Sequence, residues 1–150
     1  MLKEGDKAPD IHLASDTGEP FRISSLKGQK VVLYFYPRAD TPGCTVEACE
    51  FRDTSKKFAQ KNVAIIGISP DAVKSQAKFK DKFSLPFTLL CDVDKAGAQA
   101  YGVYKEKNMY GKKVMGIERT TFIIDEGGRI AKIFPKVKAQ GHAEQILASL

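Results

Sequence analysis

Two short runs of β-branched and aromatic residues predict buried β-strands. One covers residues 31–36 and ends at Pro37, and the other covers residues 63–68 and ends before Pro70. Continuous apolar runs of this length are typical of central strands that are covered on both faces of a sheet. Between the two runs, apolar side chains recur at helical spacing, so we expect a helix that ends near residue 62. Together these segments predict a βαβ unit.

Shorter signals on both sides of this unit predict the rest of the fold. Turn-forming residues at 16–20 separate the apolar segments 11–14 and 21–23, which indicates a small N-terminal β-hairpin at one edge of the sheet. The later elements are a helix over 71–83, a strand over 88–91, a small helix over 95–101, a less regular lysine-rich segment, a hairpin over 120–125 and 129–134, and a helix over 142–150. This order predicts a thioredoxin-like α/β sandwich whose central mixed sheet is flanked by helices.

The length and composition favour a single domain over residues 1–150. The chain has 150 residues, 43% of them hydrophobic, and contains neither an internal repeat nor a Pro-, Gly- or Ser-rich linker. No apolar run approaches the roughly 20 residues of a membrane span, and the first residues lack the apolar stretch of a secretory signal. We therefore expect a cytoplasmic protein with no membrane partner. With three cysteines, any disulfide is expected to be transient chemistry rather than part of a scaffold.

The basic charge raises the alternative of a nucleic-acid partner. Lysine and arginine number 24 against 18 acidic residues, which gives a formal net charge of +6 and a pI near 9.2. The lysines are scattered in short clusters, without interleaved stacking aromatics or a known nucleic-acid motif. We interpret them as a solvated surface and expect no nucleic-acid partner, while a basic binding module remains the alternative.

Cys44 is the residue with the clearest chemical signal. It follows the first buried strand, where Thr41 has the character of an N-cap and Pro42 that of a first helical residue. The free N–H groups and the dipole of a helix amino end stabilise an anion such as a thiolate. An ordinary thiol, with a pKa of about 8.5, is mostly protonated at neutral pH, so a cation is also needed. Arg119, at the start of a later strand, is the best candidate. Possible substitutes are Arg38, Arg52 and Arg22.

A thiolate in this position is suited to attack the O–O bond of a peroxide. The reaction needs hydrogen-bond donors to the departing oxygen. The Arg119 guanidinium, the Thr41 hydroxyl and the backbone N–H groups near Gly43 are the candidates. Cys44 would become a sulfenic acid, with which a second thiol, most obviously Cys49, condenses to form a disulfide. In a straight helix, residues five apart have Cα atoms roughly 8 to 9 Å apart, whereas a disulfide tolerates about 7 Å. The first turns of the helix must therefore unwind when the two cysteines join.

The segment around Cys44 resembles the active site of a known family. The pattern Pro37-x-x-x-Thr41-x-x-Cys44 overlaps a Thr-Pro-Gly-Cys-Thr-x-Glu-x-Cys string at 41–49, and Arg-Thr-Thr-Phe follows at 119–122. These motifs are similar to those of the peroxiredoxins, and more narrowly to the bacterioferritin comigratory protein (PrxQ) subfamily, of atypical 2-Cys type. The resemblance runs from the Gly-Asp-Lys-Ala-Pro-Asp string at 5–10 to the final helix.

The resemblance implies a role for each residue of the motif. Cys44 would be the peroxidatic cysteine that attacks the substrate, and Cys49 would be the resolving cysteine of the same chain. Thr41 and Arg119 would contact the thiolate and the peroxide. Pro37 would shield the site, and Glu47 would orient Arg119.

The resemblance also implies an activity and its partners. Members of the family reduce hydrogen peroxide and alkyl hydroperoxides as antioxidant enzymes, need no haem, flavin or metal, and are recharged by thioredoxin or a glutaredoxin-like dithiol protein. They are mostly monomeric. Some carry the resolving cysteine in the next helix, but residues 71–83 contain none, which favours Cys49. Cys91 lies outside the family's motif, and we interpret it as a buried strand cysteine without a redox role.

The residues also leave other functions open. A thiol/disulfide oxidoreductase would normally carry C-x-x-C after the first strand, whereas Cys44 and Cys49 form C-x4-C. That spacing, with His12 and His142 far away in the sequence, also matches no common zinc site. A peroxide sensor that passes its oxidation to a partner protein is a further alternative, with no sequence feature of its own.

Overall fold

The computed structural model describes residues 2–150, apart from the side chain of Met109. A 3-10 turn, Ile23–Leu26, follows the second strand. None of the described helices combines the length and the apolar character needed to span a membrane. In chain order the strands and helices are β1 (His12–Ser15), β2 (Pro20–Arg22), β3 (Lys30–Phe35), α1 (Pro42–Gln60), β4 (Val63–Ser69), α2 (Val73–Phe83), β5 (Thr88–Cys91), α3 (Ala96–Ala100), β6 (Tyr104–Met109), β7 (Lys112–Ile117), β8 (Thr120–Ile124), β9 (Ile130–Phe134) and α4 (His142–Ser149).

Seven of the strands form one mixed sheet. The strand order is β2-β1-β5-β4-β3-β8-β9, in which β3, β4 and β5 run parallel and the other pairings are antiparallel. The N-terminal hairpin of β1 and β2 forms one edge, as predicted. Helices α1, α2 and α4 pack on one face, and α3 packs with the 3-10 turn on the other. The predicted thioredoxin-like sandwich with a central mixed sheet is therefore confirmed.

The continuous apolar run of β3 is explained by burial on both faces. Val32 and Tyr34 belong to the core on the α1 side, and Val31, Leu33 and Phe35 belong to the core on the opposite side. All five are at most 2% exposed. Because successive side chains of a strand alternate between faces, a strand that is apolar throughout must be covered on both sides.

The lysine-rich segment is more regular than the sequence predicts. It forms a separate two-stranded antiparallel ribbon of β6 and β7, which we call the β6–β7 ribbon (104–117). Tyr110 and Gly111 form its turn, with φ values of 53° and 79°, as a two-residue hairpin turn requires. The sequence does not signal this hairpin, because neither strand alternates apolar and polar residues and tyrosine seldom adopts a positive φ.

The loop between β3 and α1 is held by polar contacts that place the start of α1. The Asp71 carboxylate accepts hydrogen bonds from the backbone N–H of Ala39 and the hydroxyl of Ser69, both at 2.7 Å. Lys82 of α2 forms an ion pair with Asp40 at 2.9 Å. The amino end of α1 is thereby fixed beside the carboxyl ends of the parallel strands, where functional sites of open α/β sheets gather.

Candidate active site

Cys44 lies in the first turn of α1 and is buried, with 1% of its surface exposed. Thr41 occupies the N-cap position and Pro42 the first helical position, as predicted. The Thr41 hydroxyl, however, caps no N–H group among the described residues; it donates a hydrogen bond to the Arg38 carbonyl oxygen at 2.9 Å. Because that bond uses its only proton, the hydroxyl is left with acceptor lone pairs and no free donor.

Arg119 reaches Cys44 from a neighbouring strand. β8 pairs antiparallel with β3, and the pairing of Phe35 with Thr120 places Arg119 at the carboxyl end of β3. Its Nη2 donates to Cys44 Sγ at 3.3 Å, and its Nη1 donates to Glu47 Oε1 at 2.7 Å. One guanidinium, with 17% of the side chain exposed, therefore bridges the sulfur and a carboxylate. A hydrogen bond from a guanidinium favours the thiolate form of a cysteine.

The other candidate arginines are engaged elsewhere. Arg22 and Arg52 form ion pairs with nearby aspartates, and Arg38 is exposed. Within the described part of the chain, Arg119 is therefore the arginine that contacts the Cys44 sulfur.

Glu47 lies one turn after Cys44 on α1 and is fully buried. Its Oε1 accepts the bond from Arg119, whereas its Oε2 has no hydrogen-bond partner among residues 2–150. Burial raises the pKa of this carboxyl to about 7, against the opposing effect of the Arg119 charge. Burial also works against the charged form of Arg119, but the Glu47 carboxylate and the Cys44 sulfur raise its pKa above the ordinary value. The guanidinium therefore stays charged, while the carboxyl titrates near neutrality.

Gly43 and Pro37, the remaining predicted contact residues, lie on either side of the loop that leads into the site. A Cβ atom at Gly43 would lie 3.2 Å from Arg119 Nη2, closer than most side chains approach one another. Gly43 therefore acts through its missing side chain, which gives the guanidinium room, whereas sequence reasoning selected it for its backbone N–H. Pro37 is half-buried, two residues beyond the end of β3.

A buried aromatic layer packs in the same core cluster as Cys44. Tyr34 stacks on Phe51 and Tyr36, with ring centroids 4.8 and 5.4 Å away. Burial raises the pKa of Tyr34 well above its usual value, and the nearby Tyr36, Glu47 and Cys44 groups add to this effect. The layer excludes water from one side of the site, which strengthens the electrostatic interactions of Arg119. From the sequence, these tyrosines were expected only as part of a buried strand.

Lys107 is a basic residue beside the site that sequence reasoning missed. It lies on β6, and its aliphatic stem passes over Gly116, where a Cβ atom would lie 3.2 Å from the Lys107 Cδ. Burial and the charge of Arg119 lower the pKa of Lys107, while Glu118 and the Cys44 sulfur act in the opposite direction. Its ammonium group therefore adds positive charge near the thiol. The lysine-rich composition of the segment was the one sequence signal that could have found it.

The other two cysteines are not joined to Cys44, since all three are free thiols. Cys49 is partly buried on the continuous helix α1, five residues after Cys44, so a disulfide between them requires the helix to unwind. Cys91 is buried in β5, with its Sγ 3.7 Å from the Ser15 carbonyl oxygen. Burial raises the pKa of the Cys91 thiol to about 11, so this cysteine is protonated at neutral pH.

The two histidines lie away from the sulfur. His142 is buried in the core, where its Nε2 forms a 2.7 Å hydrogen bond with Thr121 Oγ1 and burial lowers its pKa. His12 is exposed on β1. Across the described residues, no three His, Cys, Asp or Glu side chains cluster closely enough to hold a metal ion.

Comparison with known sequences gives matches over nearly the whole chain. The model of the AhpC/TSA family matches residues 4–133. Over 149 residues the chain is 50% identical to a putative peroxiredoxin Bcp of Coxiella burnetii, which covers 99% of both chains. It is 49% identical to the peroxiredoxin Bcp of Bacillus subtilis, over 99% of this chain and 95% of the relative.

Solved structures give the same result for the fold. The bacterioferritin comigratory protein of Xanthomonas campestris superimposes with a TM-score of 0.89 at 40% sequence identity, over 93% of this chain and 88% of that chain. A cysteine-to-serine mutant of PrxQ from Xylella fastidiosa gives a TM-score of 0.94 at 37% identity, over 99% of this chain and 95% of that chain. The geometry around Cys44 is thus set in a fold that these proteins share.

Proposed function

The chain belongs to the AhpC/TSA family and is a thiol-dependent peroxidase of the Bcp/PrxQ peroxiredoxin group, and from this premise we propose that Cys44 is its peroxidatic cysteine. The observation that carries the proposal is the 3.3 Å hydrogen bond from Arg119 Nη2 to Cys44 Sγ at the amino end of α1. Both the guanidinium and the helix dipole favour the thiolate, which is the nucleophilic form of cysteine.

In the first step, the Cys44 thiolate attacks the terminal oxygen of a hydroperoxide. An S–O bond forms as the O–O bond breaks, so the sulfur is oxidised by two electrons to a sulfenic acid. The departing oxygen takes up a proton and leaves as water or an alcohol. Arg119 donates to the negative charge that develops on that oxygen. The Thr41 hydroxyl, whose own proton is donated to the Arg38 carbonyl, accepts a hydrogen bond from the peroxide O–H.

In the second step, the thiol of Cys49 condenses with the sulfenic acid of Cys44. An S–S bond forms and the sulfenic oxygen leaves as water. A dithiol protein, thioredoxin or a glutaredoxin-like reductant, then supplies two electrons and two protons and restores both thiols. The free state of both cysteines in the structure corresponds to the reduced enzyme.

We propose alkyl hydroperoxides as substrates beside hydrogen peroxide. The Xanthomonas campestris relative is described by its alkyl peroxide reduction activity. In the present chain, Val46 lies two residues after Cys44 with 42% of its surface exposed, and Pro37 is half-buried at the other end of the loop. These side chains offer apolar surface to an alkyl group whose peroxide end reaches Cys44.

Treatment with one equivalent of hydrogen peroxide, followed by intact mass measurement and peptide mapping, tests both cysteine roles. The wild-type chain should lose two hydrogens and give a peptide linked through Cys44 and Cys49. Cys49→Ser should instead gain one oxygen at Cys44 and consume peroxide only once. Cys91→Ser is the matched control and should behave as the wild type. A disulfide that includes Cys91, or a sulfenic acid on Cys49, would contradict the assignment.

We further propose that the enzyme works as a monomer in the cytoplasm, without a nucleic-acid or membrane partner. The resemblance to a mostly monomeric family supports the first part, and an odd number of cysteines, three, suits a reducing compartment. Light scattering of the reduced and oxidised protein should give the chain mass of 16.5 kDa, and fractionation of cells should place it with cytoplasmic markers. A dimer mass in either redox state would contradict the first part.

A further inference from the structure

We propose that the β6–β7 ribbon is the docking surface for the dithiol protein that reduces the Cys44–Cys49 disulfide, and that this partner presents an acidic face to it. The inference rests on the proposed function, because it concerns the reductive half of the same cycle. It is carried by the charge of the ribbon, its exposed apolar side chains and its position beside Arg119.

The ribbon concentrates the positive charge of the molecule. Its 14 residues include four lysines and one glutamate, a net charge of +3, which is half of the +6 of the whole chain. Lys105 pairs with Glu118 at 3.3 Å, and Lys113 pairs with Glu106 at 3.6 Å. The ribbon's other two lysines, Lys107 and Lys112, form no ion pair within the described part of the chain. Unpaired surface charge of one sign steers partners of the opposite sign.

The ribbon also exposes apolar side chains that charge alone does not explain. Among the described residues, five large hydrophobic side chains are exposed, and three of them are on the ribbon: Tyr110 at 100%, Met115 at 52% and Val114 at 39%. A fourth, Val46, lies two residues after Cys44. Methionine and aromatic side chains surrounded by charged residues are typical of protein interfaces. The combination therefore fits a protein partner.

The position of the ribbon links this surface to the reacting sulfur. One residue, Glu118, separates the end of β7 from Arg119, whose Nη2 contacts Cys44. Lys107 lies near enough for the Arg119 charge to lower its pKa. A protein that docks on the ribbon is therefore adjacent to the amino end of α1, where its dithiol is within reach of the Cys44–Cys49 disulfide.

Other occupants fit these observations less well. A second copy of this chain would bring another ribbon of charge +3, which repels the first. A nucleic-acid backbone would match the charge, but it would leave Met115 and Val114 without apolar contact. Lysine on the edge of a ribbon also discourages strand pairing between chains, and that role does not require exposed apolar neighbours. An acidic dithiol protein matches the charge, the apolar side chains and the position.

The proposal is tested by reversing two charges on β7, in the variant Lys112→Glu/Lys113→Glu. The control is Lys56→Glu/Lys57→Glu, which reverses two adjacent exposed lysines about 18 Å along α1 from Cys44. Steady-state rates are measured with a thioredoxin of net negative charge, recycled by its reductase and NADPH, and separately with dithiothreitol. The ribbon variant should lose about tenfold in kcat/KM for thioredoxin, mainly through KM. Its turnover with dithiothreitol, and both rates of the control variant, should stay within about twofold of the wild type.

Several results would overturn the docking proposal. One is an unchanged KM for thioredoxin in the ribbon variant, and another is an equal loss in the control variant. Retention on DNA that only the ribbon variant loses, with unchanged thioredoxin kinetics, would assign the surface to nucleic acid instead. Lys112→Glu alone, which breaks no ion pair, repeats the test if the double variant unfolds. Absence of peroxide turnover with dithiothreitol in the wild type would overturn the proposed function itself. This result differs from every outcome that overturns only the docking proposal.

Discussion

At the scale of single residues, Arg119 bridges the Cys44 sulfur and the Glu47 carboxylate. We expect Arg119→Met to slow oxidation of Cys44 by about 10²- to 10³-fold, because losing one preorganised donor to a developing charge typically has this effect. Stopped-flow measurement of a single turnover with hydrogen peroxide gives the rate constant. Arg38→Met removes an exposed arginine from the preceding loop and should change the rate by less than about twofold. Equal losses in the two variants would show that the effect is not specific to the bridge.

Glu47 makes the free energy of unfolding depend on pH, and a single substitution isolates this dependence. Its carboxyl has a pKa of about 7 in the fold against an ordinary 4.5, so between these values the folded state binds more protons than the unfolded state. The free energy of unfolding should therefore fall, by roughly 3 kcal/mol, as the pH rises through this window. Glu47→Gln removes the titrating carboxyl and with it this dependence on pH. Urea unfolding of both proteins should therefore show the wild type losing stability relative to the variant as the pH rises.

The comparison with Glu47→Gln also removes the contribution of His142, another buried titratable group, from the measurement. Burial lowers the pKa of His142, so its protonation destabilises the fold as the pH falls. His142 is present in both proteins, and its effect cancels in their difference. A stability difference that does not change with pH would mean that Glu47 is ionised in the fold throughout.

Sequence reasoning found the residues whose positions follow from backbone rules and missed those that depend on side-chain placement. The N-cap at Thr41 and the start of a strand after Arg119 are local features, and they placed Cys44 and its arginine correctly. The direction of the Thr41 hydrogen bond and the role of Gly43 depend on where neighbouring side chains lie. No local pattern carries that information.

At the scale of secondary-structure elements, the same distinction separates β3 from the β6–β7 ribbon. β3 is apolar throughout because the sheet covers it on both sides, and its sequence predicted it to within one residue. The ribbon packs little of its surface, so its strands carry lysines and give no periodic signal. The end of α1 differs by two residues from the prediction, since Asn62 adopts a left-handed φ of 57° and cannot continue the helix.

Helix α1 also contacts α4 through a hydrogen-bonded side chain. This contact predicts that oxidation of the cysteines on α1 changes the structure of α4 as well. The Glu50 carboxylate accepts hydrogen bonds from the backbone N–H of Gly141, the N-cap of α4, at 2.8 and 3.1 Å. Glu50 directly follows Cys49, so unwinding of α1 through Cys49 should loosen this cap. We expect amide exchange at the start of both helices to speed up when the wild-type protein is oxidised.

Hydrogen–deuterium exchange measured by mass spectrometry, before and after one equivalent of peroxide, checks this prediction. Cys49→Ser forms no disulfide with Cys44 and should show no change in either helix, and α2 serves as the internal reference. Unchanged exchange in α1 of the oxidised wild type would contradict the unwinding. A change in α1 without one in α4 would contradict only the link through Glu50.

At the scale of the whole molecule, we propose that residues 1–150 unfold as one domain. Phe51 of α1 is fully buried, with rings of Tyr34, Phe58 and His142 within 6.0 Å of its own. It thereby joins α1 to the central sheet and to α4. Phe51→Ala should lower the free energy of unfolding by about 3 to 5 kcal/mol.

Urea unfolding followed by far-ultraviolet circular dichroism and by tyrosine fluorescence tests both statements. The two signals should give one coincident transition in the wild type and in the variant. Tyr110→Ala removes a fully exposed aromatic ring and should cost less than about 0.5 kcal/mol. Two separate transitions would contradict the single domain.

The placement of both cysteines on one continuous helix also predicts the order in which the two substrates react with the enzyme. While α1 is wound, Cys44 is buried against Arg119 as a free thiol, which a peroxide can oxidise but which offers a reducing protein no disulfide to attack. Once the first turns open and the two sulfurs are joined, as proposed above, Cys44 no longer carries a thiolate that can attack a peroxide. The oxidant and the reducing protein thus react with different redox states of the chain, so the first product leaves before the second substrate reacts. Initial rates should follow a ping-pong scheme, with parallel double-reciprocal lines at each fixed concentration of the second substrate.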